Sequence, residues 1–587
     1  YLRSQWGLMS SGQALRLLAR LGFTTGLLAS ALPALAAKDA KPVLGPNVLI
    51  FDPSMPSQMI QKQIDAVYAI QQHNEFGPQR NAILFLPGSY AVDVPVGFYT
   101  QVIGLGTSPD GTRIEGSVHV DANLGHNNAT TTFWRAAEGL STAPTGGAMQ
   151  WAVSQAVSLR RMHVRGDLVL HQNHGWASGG WMSDSLVDGN VDSGSQQQWI
   201  SRNCDWKSWT GANWNMVFVG VVHPPEGVWP SPPYTKVART PVVREKPFLQ
   251  VNAAGEFSVR IPELYRDSAG ITWRGGETAG RTVPIERFYI ARADVDTADT
   301  INVQLALGKD LILTPGIYDL TAPIRVTRPR TVVLGLGFAT LRPVKGTAAM
   351  TTADADGIEI AGLLFDAGPI ESPVLLEVGS EESRARHKKD PITLHDIFFR
   401  VGGAGVGRAK VNLRINSNDT LVDHTWIWRA DHGAGVGWNL NTSENGLVVN
   451  GNDVTIYGLF VEHHQKFQVL WNGNGGRTYF YQSEIPYDPP NQASYTSAPG
   501  VKGWASYKVA DGVTSHEAWG LGVYSVFRHP DIVLTRAIET PMSPEIRFHD
   551  MITVALGDHG GISHVIDDTG EATTIHPRVT PKVTNFP

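Results

Sequence analysis

Three acid-bearing stretches stand out in the C-terminal half of the 587-residue chain: Trp428–His432 (WRADH), Val461–His464 (VEHH) and Ser483–Pro490 (SEIPYDPP). Within them, Glu462 and Glu484 lie 22 residues apart. Hydrolysis of a glycosidic bond needs two carboxyl functions: one gives a proton to the leaving oxygen, and the other activates water or attacks. A carboxyl that acts as an acid near neutral pH must keep its proton, which burial achieves. A single exposed glutamate is ordinarily only solvated, so the fold must bring the pair together for this chemistry. His463 and His464 are adjacent and lack the i,i+4 spacing of a zinc-binding helix. They are expected to be packed or hydrogen-bonded, and neither a metal nor another cofactor is expected.

The elements that must position these residues read as short strands. In the second half come GIEIAGLLFDAG, TLHDIFFRVGG, NDTLVDHTWIW, GLVVNGNDVTIYGLFVEH and GGRTYFYQSE; the first half has VSLRRMHVRG, DLVLHQ, WMSDSLVDG and QQQWISRNCDW. Apolar residues alternate, and Gly or Asn marks the corners. Stacked coils of about 20–30 residues make a solenoid whose core is buried only by neighbouring coils. One such coil is the Glu462–Glu484 separation, so both could sit on one face. The fold class expected is all-β, with two tandem parallel β-helices. A tandem of β-sandwiches would show Asn-Gly or Asp-Gly hairpin turns more regularly.

The two halves resemble each other. NAILFLPGSY (81–90) and QVIGLG (101–106) are echoed by KDLILTPGIY (309–318) and TVVLGLG (331–337). The offset is 228 residues at Pro87 and Pro315, and 231 at Gly106 and Gly337, which argues for duplication. Residues 223–284 break the pattern with HPPEGVWPSPPY and a polar run, so they are expected to be a Pro-rich linker. The expected domains are 45–222 and 285–575 on either side of it. Residues 54–72 have helical spacing at Met59, Ile60, Ile64, Val67 and Ile70, and that helix is expected to cap the first solenoid.

Composition fits this picture. Charged residues are 17%, Gly numbers 61 and Trp 17, and the net charge is -6. Nothing there attracts nucleic acid or an anionic membrane, whereas a neutral polysaccharide is compatible. The single cysteine, Cys204, makes no internal disulfide and is expected to be a small buried residue. Arg16 and Arg20, the apolar run from Leu21 to Leu32 and Ala34-Leu35-Ala36 read as a signal peptide, with Met9 as the start. Residues 1–37 are assigned to upstream sequence and this signal. The mature protein is expected to be exported to the periplasm or medium of a bacterium, off the membrane, as a monomer.

VEHHQKFQVLWNGNGGRTYFYQSEIPYDPP resembles the active-site stretch of glycoside hydrolase family 55, the β-1,3-glucanases (laminarinases). HDIFFRVGG, WIWRADH and SHEAWGLGVYSVF in the second half, and QWAVSQAVSLRRMHV and GWASGGWMSD in the first, are similar to family segments in the same order. The resemblance spans about residues 45–530 and implies a double right-handed β-helix of the pectin-lyase type, with a cleft between the halves. It implies inverting hydrolysis of β-1,3-glucan, mostly from chain ends. Glu484 matches the general acid, and Glu462 the glutamate that holds and polarises the attacking water. Gln155 and Ser178 match further water-positioning residues. Inversion requires carboxyl groups about 6.5–9.5 Å apart. Tyr481 and Tyr487 are expected to desolvate the acid and, with Trp176 and Trp181, to meet sugar faces; His463 and Asp431 complete the substrate-binding set. The chain departs from the family pattern at Ala152, Gly433 and Asp488, where subsite contacts are most open to change. Hydrolysis of another neutral glycan, a β-helical polysaccharide lyase and a non-catalytic glycan-binding module are the alternatives.

Overall fold

The computed structural model describes residues 42–587, so the signal-peptide reading lies outside the described residues. Two stacks of parallel strands account for most of the described residues, and helix among those residues is confined to a few short segments. In the first stack one nine-stranded sheet runs from Val48–Phe51 through Asn81–Phe85, Thr100–Gly104, Arg135–Glu138 and Val157–Arg160 to Tyr234–Val237. A second sheet takes the alternate strand of each coil. The second stack repeats the plan with Phe288–Ala291, Asp310–Leu313, Val332–Gly335, Glu359–Asp366, Thr393–Val401, Leu421–Arg429, Thr455–Glu462, Gly476–Glu484, Ser515–Ser525 and Glu545–Ala555. Parallel register forces like positions into columns: Ile360, Leu394, Val422 and Ile456 follow one another up the inside, all fully buried.

The duplicated motif has a structural meaning. Tyr90 donates its hydroxyl to the carbonyls of Phe51 (2.9 Å) and Leu86 (2.8 Å), while Tyr318 donates to Ala291 (2.9 Å) and Thr314 (2.9 Å). In both halves the repeated tyrosine ties the Pro-Gly turn back to the preceding coil. The expected helix forms as Ser57–Gln71, with Ile60 and Ile64 buried in the first core. Met59 and Ile70 face outward, so its apolar face is narrower than the spacing suggested. A second helix, Ala298–Ala306, holds the same place in the second half, opened by a Thr297–Thr300 capping box.

Residues 223–284, expected as a linker, carry two small antiparallel sheets, Thr240–Arg244 with Leu264–Ser268, and Phe248–Val251 with Phe257–Pro262 and Gly280–Pro284. Their Leu249, Val259 and Ile261 pack with Leu84 and Ile103 on one side and Ile312 and Leu334 on the other. Proline there marks turns between strands as well as loose chain. The second stack also runs past residue 575: Lys582–Phe586 pairs antiparallel with Glu545–Ala555 and covers its edge. Cys204 is fully buried, and burial pushes its thiol up, as a structural cysteine requires.

The two stacks face each other through aromatic side chains, among them Tyr99, Phe133, Trp134 and Trp181 from the first and Phe398, Trp426, Tyr457 and Phe460 from the second. Beside them lies a buried ionic network. Arg160 reaches Asp396 (2.8 Å) and Asp423 (2.7 Å), and Arg202 reaches Asp423 (2.8 Å) and Glu245 (2.7 Å).

Candidate active site

Alternation along two strands builds the site. In Thr455–Glu462, Leu459 and Val461 point into the second core, while Phe460 belongs to the aromatic face between the stacks. Glu462 shares the parity of Phe460. In Gly476–Glu484, Tyr481 points inward, and Gln482 and Glu484 share the opposite parity. Phe460 pairs with Gln482, and the amide of His463 donates to the carbonyl of Glu484 (2.8 Å). Glu462 and Glu484 are therefore successive members of one column, one coil apart, as their spacing predicted. His463 has a positive φ of 67°, which turns the chain out of the strand just after Glu462.

Both glutamates open on a cavity of about 220 Å³ between the stacks, lined also by Gln155 and Ser178 from the first stack and by Asp431, His432, His463 and Tyr487 from the second. Gln155 Nε2 donates to Glu462 Oε1 (2.8 Å), and Trp426 Nε1 donates to Glu462 Oε2 (2.9 Å). Ser178 Oγ lies 3.1 Å from Ser154 Oγ and 3.5 Å from Gln155 Oε1. The Tyr487 hydroxyl donates to Glu484 Oε2, and Gln482 Nε2 approaches Glu484 Oε1 at 3.5 Å.

Burial pushes Glu484 up to about 7, against the pull of the Tyr487 hydroxyl. Burial also holds Glu462 well above the usual carboxylate range, and the charge of Glu484 pushes it further. Both acids are thus pushed toward their protonated forms. Asp431 behaves oppositely: burial works to raise it, but the hydrogen bond from His432 and the charge of that imidazole bring it down to about 2. His432 is raised to about 10, because Asp431 (2.9 Å) and Glu75 (2.7 Å) outweigh its burial. The rim therefore carries an imidazolium clasped by two carboxylates, one from each stack. Burial keeps His463 and His464 neutral. His464 is bonded to Ser443 Oγ (2.8 Å) and the carbonyl of Ile427 (3.2 Å) in the interior.

Of the residues singled out from the sequence, Glu462, Glu484, Gln155, Ser178, Asp431, His463 and Tyr487 come together around the cavity. Two do not. Trp181 is fully buried, stacked on His424 (5.2 Å, 5°) and capped by Arg160, so it belongs to the packing between the stacks and no sugar reaches it. Gly458, at a φ of 65°, leaves room for that ring; a Cβ there would meet it at 2.5 Å. Tyr481 is fully buried on the inner face and its hydroxyl is bonded to Ser506 Oγ (2.8 Å). Trp176 is 50% exposed and stacks on Trp214 (6.3 Å), which lies against Tyr524 (5.4 Å). Tyr524 is the register partner of Glu484 in the next coil, so the pair of tryptophans flanks the cavity without lining it.

The departures at three positions have local explanations. Ala152 packs among Ala129 and Ala177. Gly433 has a φ of 94°, and a Cβ there would come within 2.5 Å of the carbonyl of Gly403. Asp488 is taken up by Arg429 in a two-pronged ion pair (2.9 and 2.8 Å). No local pattern points to Glu75, which follows the first helix and reaches His432 only through the fold. Trp426 was visible as a strand residue, but its bond to Glu462 was not.

Two carboxyl groups with raised proton affinity, on one cavity whose lining holds no Lys or Arg, are the pair that glycosidic-bond hydrolysis requires, here carried on a parallel β-stack. A family model for the LAM55 pectate lyase-like domain matches residues 288–484. The chain belongs to glycoside hydrolase family 55. It is 46% identical over 547 residues to a Streptomyces sp. (strain SirexAA-E / ActE) exo-β-1,3-glucanase, covering 93% of this chain and 90% of that one. The structure of sacteLam55A from Streptomyces sp. SirexAA-E superposes with a TM-score of 0.91 at 45% identity, over 93% of this chain and 99% of that one. A single-residue variant of sacteLam55A in complex with glucose matches equally well, with 98% of its chain covered.

Proposed function

We propose that the protein hydrolyses β-1,3-glucan from the chain end with inversion, using Glu484 as acid and a water held by Glu462, Gln155 and Ser178. The observation that carries this reading is the Gln155–Glu462 hydrogen bond, which joins the stacks one coil from Glu484. Burial raises both acids, but two N–H donors at 2.8 and 2.9 Å favour the anionic form of Glu462, whereas Glu484 receives one hydroxyl and only a 3.5 Å contact from Gln482, so the reading places the proton on Glu484. Glu484 gives this proton to the glycosidic oxygen as the bond to the anomeric carbon breaks. The water, losing its proton to Glu462, attacks that carbon from the opposite face. Gln155 and Ser178 orient the water, and Asp431, His463 and Tyr487 surround the terminal sugar. Trp176 with Trp214 offers a sugar platform at the cavity edge.

The architecture this reading assumes is two tandem right-handed β-helices, with residues 223–284 passing between them. Chain-end action follows the naming of the Streptomyces relative. Secretion is proposed from the leader read in the sequence; among the described residues no helix is long and apolar enough to cross a membrane. The absence of Lys or Arg from the cavity lining favours hydrolysis over a lyase, which would need such a base. The test is the anomeric form of the first product, followed by NMR during laminarin digestion. Inversion gives α-glucose first; initial β-glucose would reject the assignment of Glu462, Gln155 and Ser178 to a water.

A further inference from the structure

Arg429 ends the strand Leu421–Arg429 and is almost completely buried. Its guanidinium makes five hydrogen bonds: Nε to the carbonyl of Asn441 (2.7 Å), Nη1 to the carbonyl of His463 (3.1 Å) and to Asp488 Oδ1 (2.9 Å), Nη2 to the carbonyl of Gly437 (3.2 Å) and to Asp488 Oδ2 (2.8 Å). Those are as many bonds as the group has N–H donors. Three segments are thereby fixed to one planar cation: the loop ending at Asn441, the turn just after Glu462, and the loop just after Glu484. A buried two-pronged Arg–carboxylate pair of this kind holds direction as well as distance.

Tyr487 sits between the clasped Asp488 and the acid, with its hydroxyl on Glu484 Oε2 and its ring edge-on to His463 at 4.4 Å. Both flanks of Tyr487 therefore depend on Arg429: Asp488 through its side chain and His463 through its carbonyl. We propose that Arg429 and Asp488 are a positioning pair that presses Tyr487 onto one oxygen of Glu484 and leaves the other oxygen to carry the transferred proton. The pair touches no substrate. The proposal rests on the reading of Glu484 as the acid.

The titratable and charged groups facing Glu484 are Asp431, Glu462, His463, Tyr487 and Tyr524, with His432 and Arg528 behind Asp431. A Tyr487 hydroxyl that donates to the carboxylate favours its anion, so losing that bond moves the alkaline limb of the kcat profile to higher pH. Leaving Arg429 unpaired would by itself favour the anion and move the limb down. A purely structural loss would move it in neither direction.

The experiment measures kcat, KM and the pH profile on laminarin for Asp488→Asn, Asp488→Glu, Tyr487→Phe, the Asp488→Asn/Tyr487→Phe double variant and Glu484→Gln. Asp488→Asn is expected to lose about tenfold or more in kcat with KM within about twofold, and its alkaline limb to rise by about 0.5 unit or more. Tyr487→Phe should show the same limb shift, and the double variant no further shift. Asp488→Glu should restore the parental limb. An unshifted or downward limb in Asp488→Asn, or shifts that add in the double variant, overturns the proposal. If Asp488→Asn does not fold, Arg429→Lys takes its place with the same readings. Retained activity in Glu484→Gln would reject the acid itself, whereas an inactive Glu484→Gln beside a parental Asp488→Asn rejects only the clasp.

Discussion

Glu484 holds its proton because burial in the cavity wall raises it to about 7, so activity should fall as pH rises through about 7 and the acid ionises. A pH profile of kcat/KM checks this; an alkaline limb near the ordinary glutamate value would contradict it. The same shift has a stability consequence. The folded value lies above the ordinary 4.5, so this group favours the folded state below that value and loses that contribution as pH rises towards 7. Glu484→Gln should therefore match the parent in urea unfolding at pH 4 and exceed it at pH 8 by up to about 3 kcal/mol, less where the carboxyl meets solvent in the cavity. Gln155→Ala should lower kcat on laminarin by about a hundredfold with the fold intact, because a water loses one of its holders. A parental kcat would show that the Gln155–Glu462 bond is only structural.

At the scale of elements, parity along a strand decides which side chain can meet a sugar. Tyr481 lies an odd number of positions from Glu484, and that alone places it on the inner face. The sequence carries this information, because residues close together in a motif share a face only when their spacing is even. The column of Glu462 over Glu484 was legible for the same reason, since 22 residues is one coil. The packing of the two stacks was not. Trp181 and Trp176 look alike in sequence, and only the opposing face of the second stack buries one and leaves the other half exposed. Trp181→Ala should therefore cost about 3–5 kcal/mol of stability in denaturant unfolding. Trp176→Ala should leave stability unchanged and raise KM for laminarin severalfold. The reverse pattern would mean that the two tryptophans have been given each other's roles. The repeated Tyr90 and Tyr318 show how much a motif can say once a structure is present: the echo predicted duplication, and its cause is the tie from each hydroxyl back across the Pro-Gly turn.

At the scale of the molecule, the site exists only where the stacks meet, since Gln155 and Ser178 come from one and both glutamates from the other. Aromatic packing and the Arg160–Asp396–Asp423–Arg202 network hold that meeting in place. Asp423 is held far below the usual carboxylate range by Arg202 and Arg160 against its burial, so the network stays ionised through mildly acidic pH. Asp423→Asn should lower stability by about 3 kcal/mol or more, because it leaves a buried guanidinium short of charge, and activity should fall with it. Calorimetry that showed no loss would remove the network from the account. Sequence periodicity reached the stacks, but no local pattern announced Glu75, Trp426 or Arg429, whose roles arise from contacts between distant coils. The most direct test of the whole account is glucose release from laminarin by folded Glu484→Gln. Loss of general-acid catalysis predicts a fall of roughly 10²–10⁴-fold; release at the parental rate would contradict it.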